Sequence, residues 1–92
     1  MDKRESLRAI LLWAEIENRL LVPYGGGRPT DPRWTERRLI PLTNATLRRL
    51  EEITTKIRRY RRRSVQPMQL AALLLERATE QLDDREIEML LR

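Results

Sequence analysis

At 92 residues the chain suits one small domain with a thin core, so a partner or a second copy is a natural expectation. Charged side chains make up 36% of it and aromatics 4%, with no Phe, a balance that favours helices built on Leu, Ile and Ala over a strand-rich sandwich. Cys and His are both absent, which excludes disulfides, thiol nucleophiles, Cys/His zinc sites and the usual general base, and no metal or cofactor is expected.

The net charge of +5 is unevenly spread. Residues 1–27 are neutral, residues 28–63 carry a net of +8, and residues 64–92 carry a net of −3. Seventeen of the 19 basic side chains are Arg, whose planar fork suits phosphate and carboxylate. A basic middle points to a polyanion or an acidic protein as partner. No apolar run reaches the roughly 18 residues that a membrane span needs. "LRAILLWAEIENRLL" is too interrupted by Glu15, Glu17, Asn18 and Arg19 for a signal-peptide core, so a cytoplasmic, soluble protein is expected.

In chain order, Asp2 is placed to cap a first helix over residues 3–21. Its apolar positions Leu7, Ile10, Leu11, Ala14, Leu20 and Leu21 recur at helical spacing, and Trp13 and Ile16 widen the face. That helix is core, a dimer contact or a docking helix. Residues 22–34, "VPYGGGRPTDPRW", form a Gly/Pro-rich loop, with Trp34 expected to plug an apolar pocket. "GGGRPT" is not a phosphate-binding loop, because it lacks the closing Gly-Lys-Ser/Thr. "TERRLIPL", Thr35 to Leu42, reads as a short extended ribbon. Arg38, Ile40 and Leu42 share one face, and Arg37, Leu39 and Pro41 share the other. Ile40 precedes proline and so favours extended backbone.

A second helix follows, capped by Thr43 or Asn44, with the stripe Leu47, Leu50, Ile53 (or Thr54) and Ile57, fraying near Arg61. A third spans about 67–82 behind Ser64 or Gln66, with Pro67 in its first turn. Leu70, Leu74, Ala78 and Leu82 make one face, Ala71 and Leu75 extend it, and burial on more than one side is expected. Asp83 or Asp84 starts a short C-terminal helix, whose acidity suits the basic middle of a neighbouring chain.

Short ribbon, helix, basic turn, helix is the order that carries a resemblance. "RRLIPLTNATLRRLEEI" and "RRRSVQPMQLAALLLERA" resemble the ribbon, first helix, turn and second helix of the ribbon-helix-helix DNA-binding family, over about residues 35–82. The resemblance implies a mainly α, obligate dimer. The ribbons of two chains would pair as an antiparallel sheet in the DNA major groove, and the start of the second family helix would meet backbone phosphate. It places Ile40 and Leu42 inward and Arg37, Leu39 and Pro41 outward on the ribbon. The sequence departs from the family at Leu39 and Pro41, which read no hydrogen-bond pattern on a base edge. It departs again between the helices, where Arg replaces the usual Gly. The first helix lies outside the resemblance, so the chain divides into residues 1–21, 22–34 and 35–92.

The cluster "RRYRRRS" sits at the turn between two helices. Arg58, Arg59, Arg61, Arg62 and Arg63, with Ser64 and the free N–H groups of the next helix start, suit phosphate. Tyr60 stacks on a base or packs inward. The plainer alternative is that these arginines answer the dipole of the helix they end. Arg37 and Arg38 form a second basic group, and Arg28 and Arg33 are placed to act as arms along the DNA backbone or as incidental charges of a linker. Glu51/Glu52 and Asp83/Asp84 are adjacent pairs that do not converge, and Ser64 has no partner base, so no catalysis is expected. The expected function is a small dimeric DNA-binding protein of the transcription-regulator or plasmid-maintenance kind. The alternative is a non-enzymatic helical adaptor that binds an acidic protein partner.

Overall fold

The computed structural model describes residues 3–20 and 31–92, with side chains from Leu7 onward. The chain is mainly helical: α1 runs Lys3–Arg19, α2 Asn44–Arg61, α3 Pro67–Gln81 and α4 Asp84–Leu90. Asp2, Leu21 and most of the Gly/Pro-rich loop lie outside the described residues.

Helices α2 and α3 pack together as a hairpin joined by the basic turn. Thr43 caps α2, its hydroxyl oxygen accepting from the Thr46 N–H at 3.1 Å. The helix stops at Arg62, which adopts φ 57° and ψ 36° and donates its N–H to the Arg58 carbonyl. This left-handed stop is usually glycine's, because any Cβ crowds there. Pro67 occupies the first turn of α3, where its missing N–H costs nothing. Gln66 takes the cap position with no side-chain cap bond, although Ser64 was the other residue expected there. Asp83 caps α4 by accepting from the Glu86 N–H at 2.8 Å.

Leu50, Leu70 and Leu73 meet Ile16 of α1, Leu20 just after it and Val65 of the turn in one core. Leu12, Trp13, Trp34, Ile53, Ile57, Ala71 and Leu74 pack around it. Trp34 therefore fills an apolar seat, and α1 and the residue that follows it contribute to the core through Ile16 and Leu20. The α3 stripe differs from the sequence reading. The buried positions are Leu70 and Leu73 with Leu74 beside them, while Ala78 and Leu82 are exposed. Steps of four residues drift about 40° each at 3.6 residues per turn. A run from Leu70 to Leu82 therefore leaves the core face, and Leu73 returns to it. Leu47 likewise stands at the exposed end of the α2 stripe.

Residues 35–42 lie between Trp34 and the α2 cap as irregular, exposed chain, and no strand is present among the described residues. A ribbon of this length has nothing to pair with inside one chain, and Pro41 has no N–H to give a ladder.

Candidate nucleic-acid interface

The basic turn is positioned by the residues beneath it. Leu50, Thr54 and Ile57 point α2 inward, and Val65 anchors the start of the next segment. The arginines between these anchors are left at the surface. Arg58, Arg59, Arg61, Arg62, Arg63 and Ser64 are all exposed, as is Tyr60. None of the five arginines forms an ion pair with a described residue, whereas Arg19, Arg33, Arg38, Arg49 and Lys56 each do. Among the described residues no carboxylate compensates the charge of this turn.

Arg61 differs from its neighbours. It continues the inner stripe one turn beyond Ile57, and its guanidinium sits 4.8 Å from the Trp13 ring centroid. The sequence reading missed this link between α1 and the cluster. Beside the turn, Thr54, Thr55, Arg58, Ser64, Gln66 and Pro67, with Glu51 and Val65, line an open groove of about 250 Å³. The first turn of α3 at its end holds no acidic side chain. Pro67 has no N–H, and Gln69 and Leu70 donate theirs to the Gln66 carbonyl, so the Met68 N–H and Arg58 are the groups that suit an anion there, with Glu51 as the opposing charge.

The second basic group is less free. Arg37 donates to the carbonyls of Trp34 and Glu36, at 2.8 and 3.2 Å. Arg38 donates to the Arg37 carbonyl and lies 3.5 Å from the Glu36 carboxylate. Both stay exposed on the irregular segment. Arg33 is held by Asp31: its side chain reaches both carboxylate oxygens, at 3.2 and 3.0 Å, and its backbone N–H donates to Oδ1 at 2.9 Å. Arg33 is thus engaged in a local turn, with most of its side chain still exposed. Arg28 lies outside the described residues.

A second cluster was not foreseen from the sequence. Arg19, at the end of α1, donates to Asp31 at 2.6 Å and to both oxygens of Glu76 in α3. Its guanidinium lies 5.1 Å from the centroid of Trp34, whose indole N–H also donates to Glu76 at 3.2 Å. Arg33 hydrogen-bonds hold the Asp31 carboxyl far below its ordinary range, with Arg19 adding to them. Arg19, and after it Trp34, lower Glu76, and the Glu76 bond raises Arg19 in turn. Both carboxylates thus favour the anionic form, and the cluster fastens α1, α3 and the Trp34 segment. Spacing gave no signal for it, because Arg19 and Glu76 stand 57 residues apart.

Among the described residues no group of three or more potential ligand side chains is placed to hold a metal, and no helix is long and apolar enough to cross a membrane. No family model matches the chain, and neither curated proteins nor solved structures include one significantly similar to it.

Proposed function

We propose that this chain is a non-enzymatic, cytoplasmic DNA-binding protein that acts as a dimer, in transcription regulation or plasmid maintenance. The observation that carries the reading is the α2–α3 turn, where five exposed arginines have no ion pair with a described residue beside an uncapped helix start. Phosphate oxygens satisfy both the guanidinium forks and the Met68 N–H of such a turn. In this reading residues 35–42 of two copies pair as a ribbon, which gives their backbone the partner that one chain lacks. Arg37 and Arg38 then accompany the ribbon to the groove. The test is fluorescence anisotropy of a labelled mixed-sequence duplex. Wild type is expected to bind, and the double variant Arg58→Ala/Arg59→Ala to bind far more weakly with unchanged helix content. Equal binding by the two contradicts the reading.

A second reading is a helical adaptor whose arginines meet an acidic protein surface. It is favoured by Leu39, which is fully exposed on the outward side of the ribbon where a base-reading side chain would stand. A protein that shows no duplex uptake, and whose acidic partner is lost from the same arginine variant, fits this reading instead.

A further inference from the structure

Helix α3 is apolar on two opposite sides. Leu70, Leu73 and Leu74 face the core. Met68, Ala72, Leu75, Thr79 and Leu82 follow one another at steps of four, three, four and three, the spacing of a helix–helix seam. At about 100° per residue this second stripe is centred roughly 160° from the first. It is uncovered: Met68 and Leu75 are each 51% exposed and Leu82 is 43% exposed. The chain's own α4 does not close over it, since Ile87, Met89 and Leu90 are themselves exposed.

The stripe reads large, small, large, small, large, and so is nearly the same in either direction about Leu75. A two-fold axis asks for that symmetry, because residue i of one copy meets j of the other and j meets i. Charge decides the direction. The start of α3 holds no acidic residue in its first turn and follows Arg61, Arg62 and Arg63. Its end holds no basic residue in its last turn and is followed by Asp83 and Asp84. A parallel pair sets arginine against arginine and aspartate against aspartate. An antiparallel pair sets each acidic end against a basic start, where the helix dipole also favours negative charge.

We infer that two copies of this chain pair antiparallel along the outer face of α3, about a two-fold axis at Leu75. The acidic end of α3 in each copy, followed by Asp83 and Asp84, then lies beside the basic start of α3 in the other, preceded by Arg63. This deepens the proposed dimer by naming a face for it. It also divides the cluster, since Arg63 turns to carboxylates while Arg58 and Arg59, back within α2, stay free for phosphate.

The chain has no Cys, so single introduced thiols report geometry cleanly. Mass by light scattering in the absence of DNA is expected to show a dimer. Leu75→Glu is expected to halve that mass with unchanged helix content. Under mild oxidation Leu75→Cys is expected to give a covalent dimer. A mixture of Met68→Cys and Leu82→Cys proteins is expected to cross-link, while each alone does not. A wild-type monomer overturns both the dimer and this face. A dimer that survives Leu75→Glu and forms no Leu75→Cys cross-link overturns the face alone and leaves the ribbon as the contact. Cross-linking of Met68→Cys to itself overturns the antiparallel direction. None of these readings depends on nucleic acid, so they stand apart from the test of DNA binding.

Discussion

Arg61 lays its guanidinium over the indole of Trp13, 4.8 Å from the ring centroid, and so joins the first helix to the basic turn. One residue of the cluster thus has a packing role that the others lack. Arg61→Ala is expected to lower stability by about 0.5–1 kcal/mol, the usual worth of such a contact at an exposed site. Arg58→Ala and Arg59→Ala are expected to change it little. Urea unfolding followed by circular dichroism checks the difference. Equal midpoints for the three variants would show that the Trp13 contact contributes nothing.

Arg62 closes α2 in a left-handed conformation, with φ at 57°. Glycine takes that conformation without crowding, so Arg62→Gly is expected to stabilise the fold by roughly 0.5–1 kcal/mol. The check is a rise in thermal midpoint against wild type. A fall would mean that the arginine side chain contributes more to the fold than its backbone strain costs.

Asp31 and Glu76 are both held below their ordinary carboxylate range, Asp31 chiefly by Arg33 and Glu76 chiefly by Arg19. A group whose folded value is depressed adds stability above its unfolded value, which is lost as pH falls through the folded one. Stability is therefore expected to hold at neutral pH and to decline below about pH 4. Asp31→Asn is expected to be less stable at neutral pH and to show a shallower acid decline. Thermal midpoints measured from neutral pH down to strong acid test this, and parallel wild-type and variant curves would remove Asp31 from the account.

Leu73 is wholly buried on α3 and Ala78 is exposed. Leu73→Ala is expected to cost about 3 kcal/mol, through lost transfer energy and the cavity left behind. Ala78→Ser is expected to stay within about 0.5 kcal/mol of wild type. The reverse ranking in chemical denaturation would restore the stripe that four-residue steps trace along the sequence.

These residues also show what the sequence made legible. The helices were readable from local chemistry: Thr43 and Asp83 as caps, Pro67 in a first turn, and Leu50 and Ile57 on one stripe. Each such signal lies within a few residues of the feature it sets. The α3 core face was misplaced because an apolar run that is apolar nearly all round does not announce which side turns inward. Asp31, Glu76 and Trp34 escaped notice as a unit because tertiary folding, not spacing, brings them to Arg19. The basic turn was visible as composition. The stacking of Arg61 on Trp13 and the capture of Arg33 by Asp31 depend on how α1 and the Trp34 segment return to the hairpin.

The central claim is that the α2–α3 turn holds phosphate. The most direct measurement is mass by light scattering, with and without a mixed-sequence duplex, at low and at moderate salt. The account predicts a dimer that takes up duplex at low salt and releases it as salt rises. Each phosphate contact contributes about −0.9 to the slope of log affinity against log salt. A dimer whose mass is unchanged by duplex at low salt, or one whose uptake ignores salt, would contradict it.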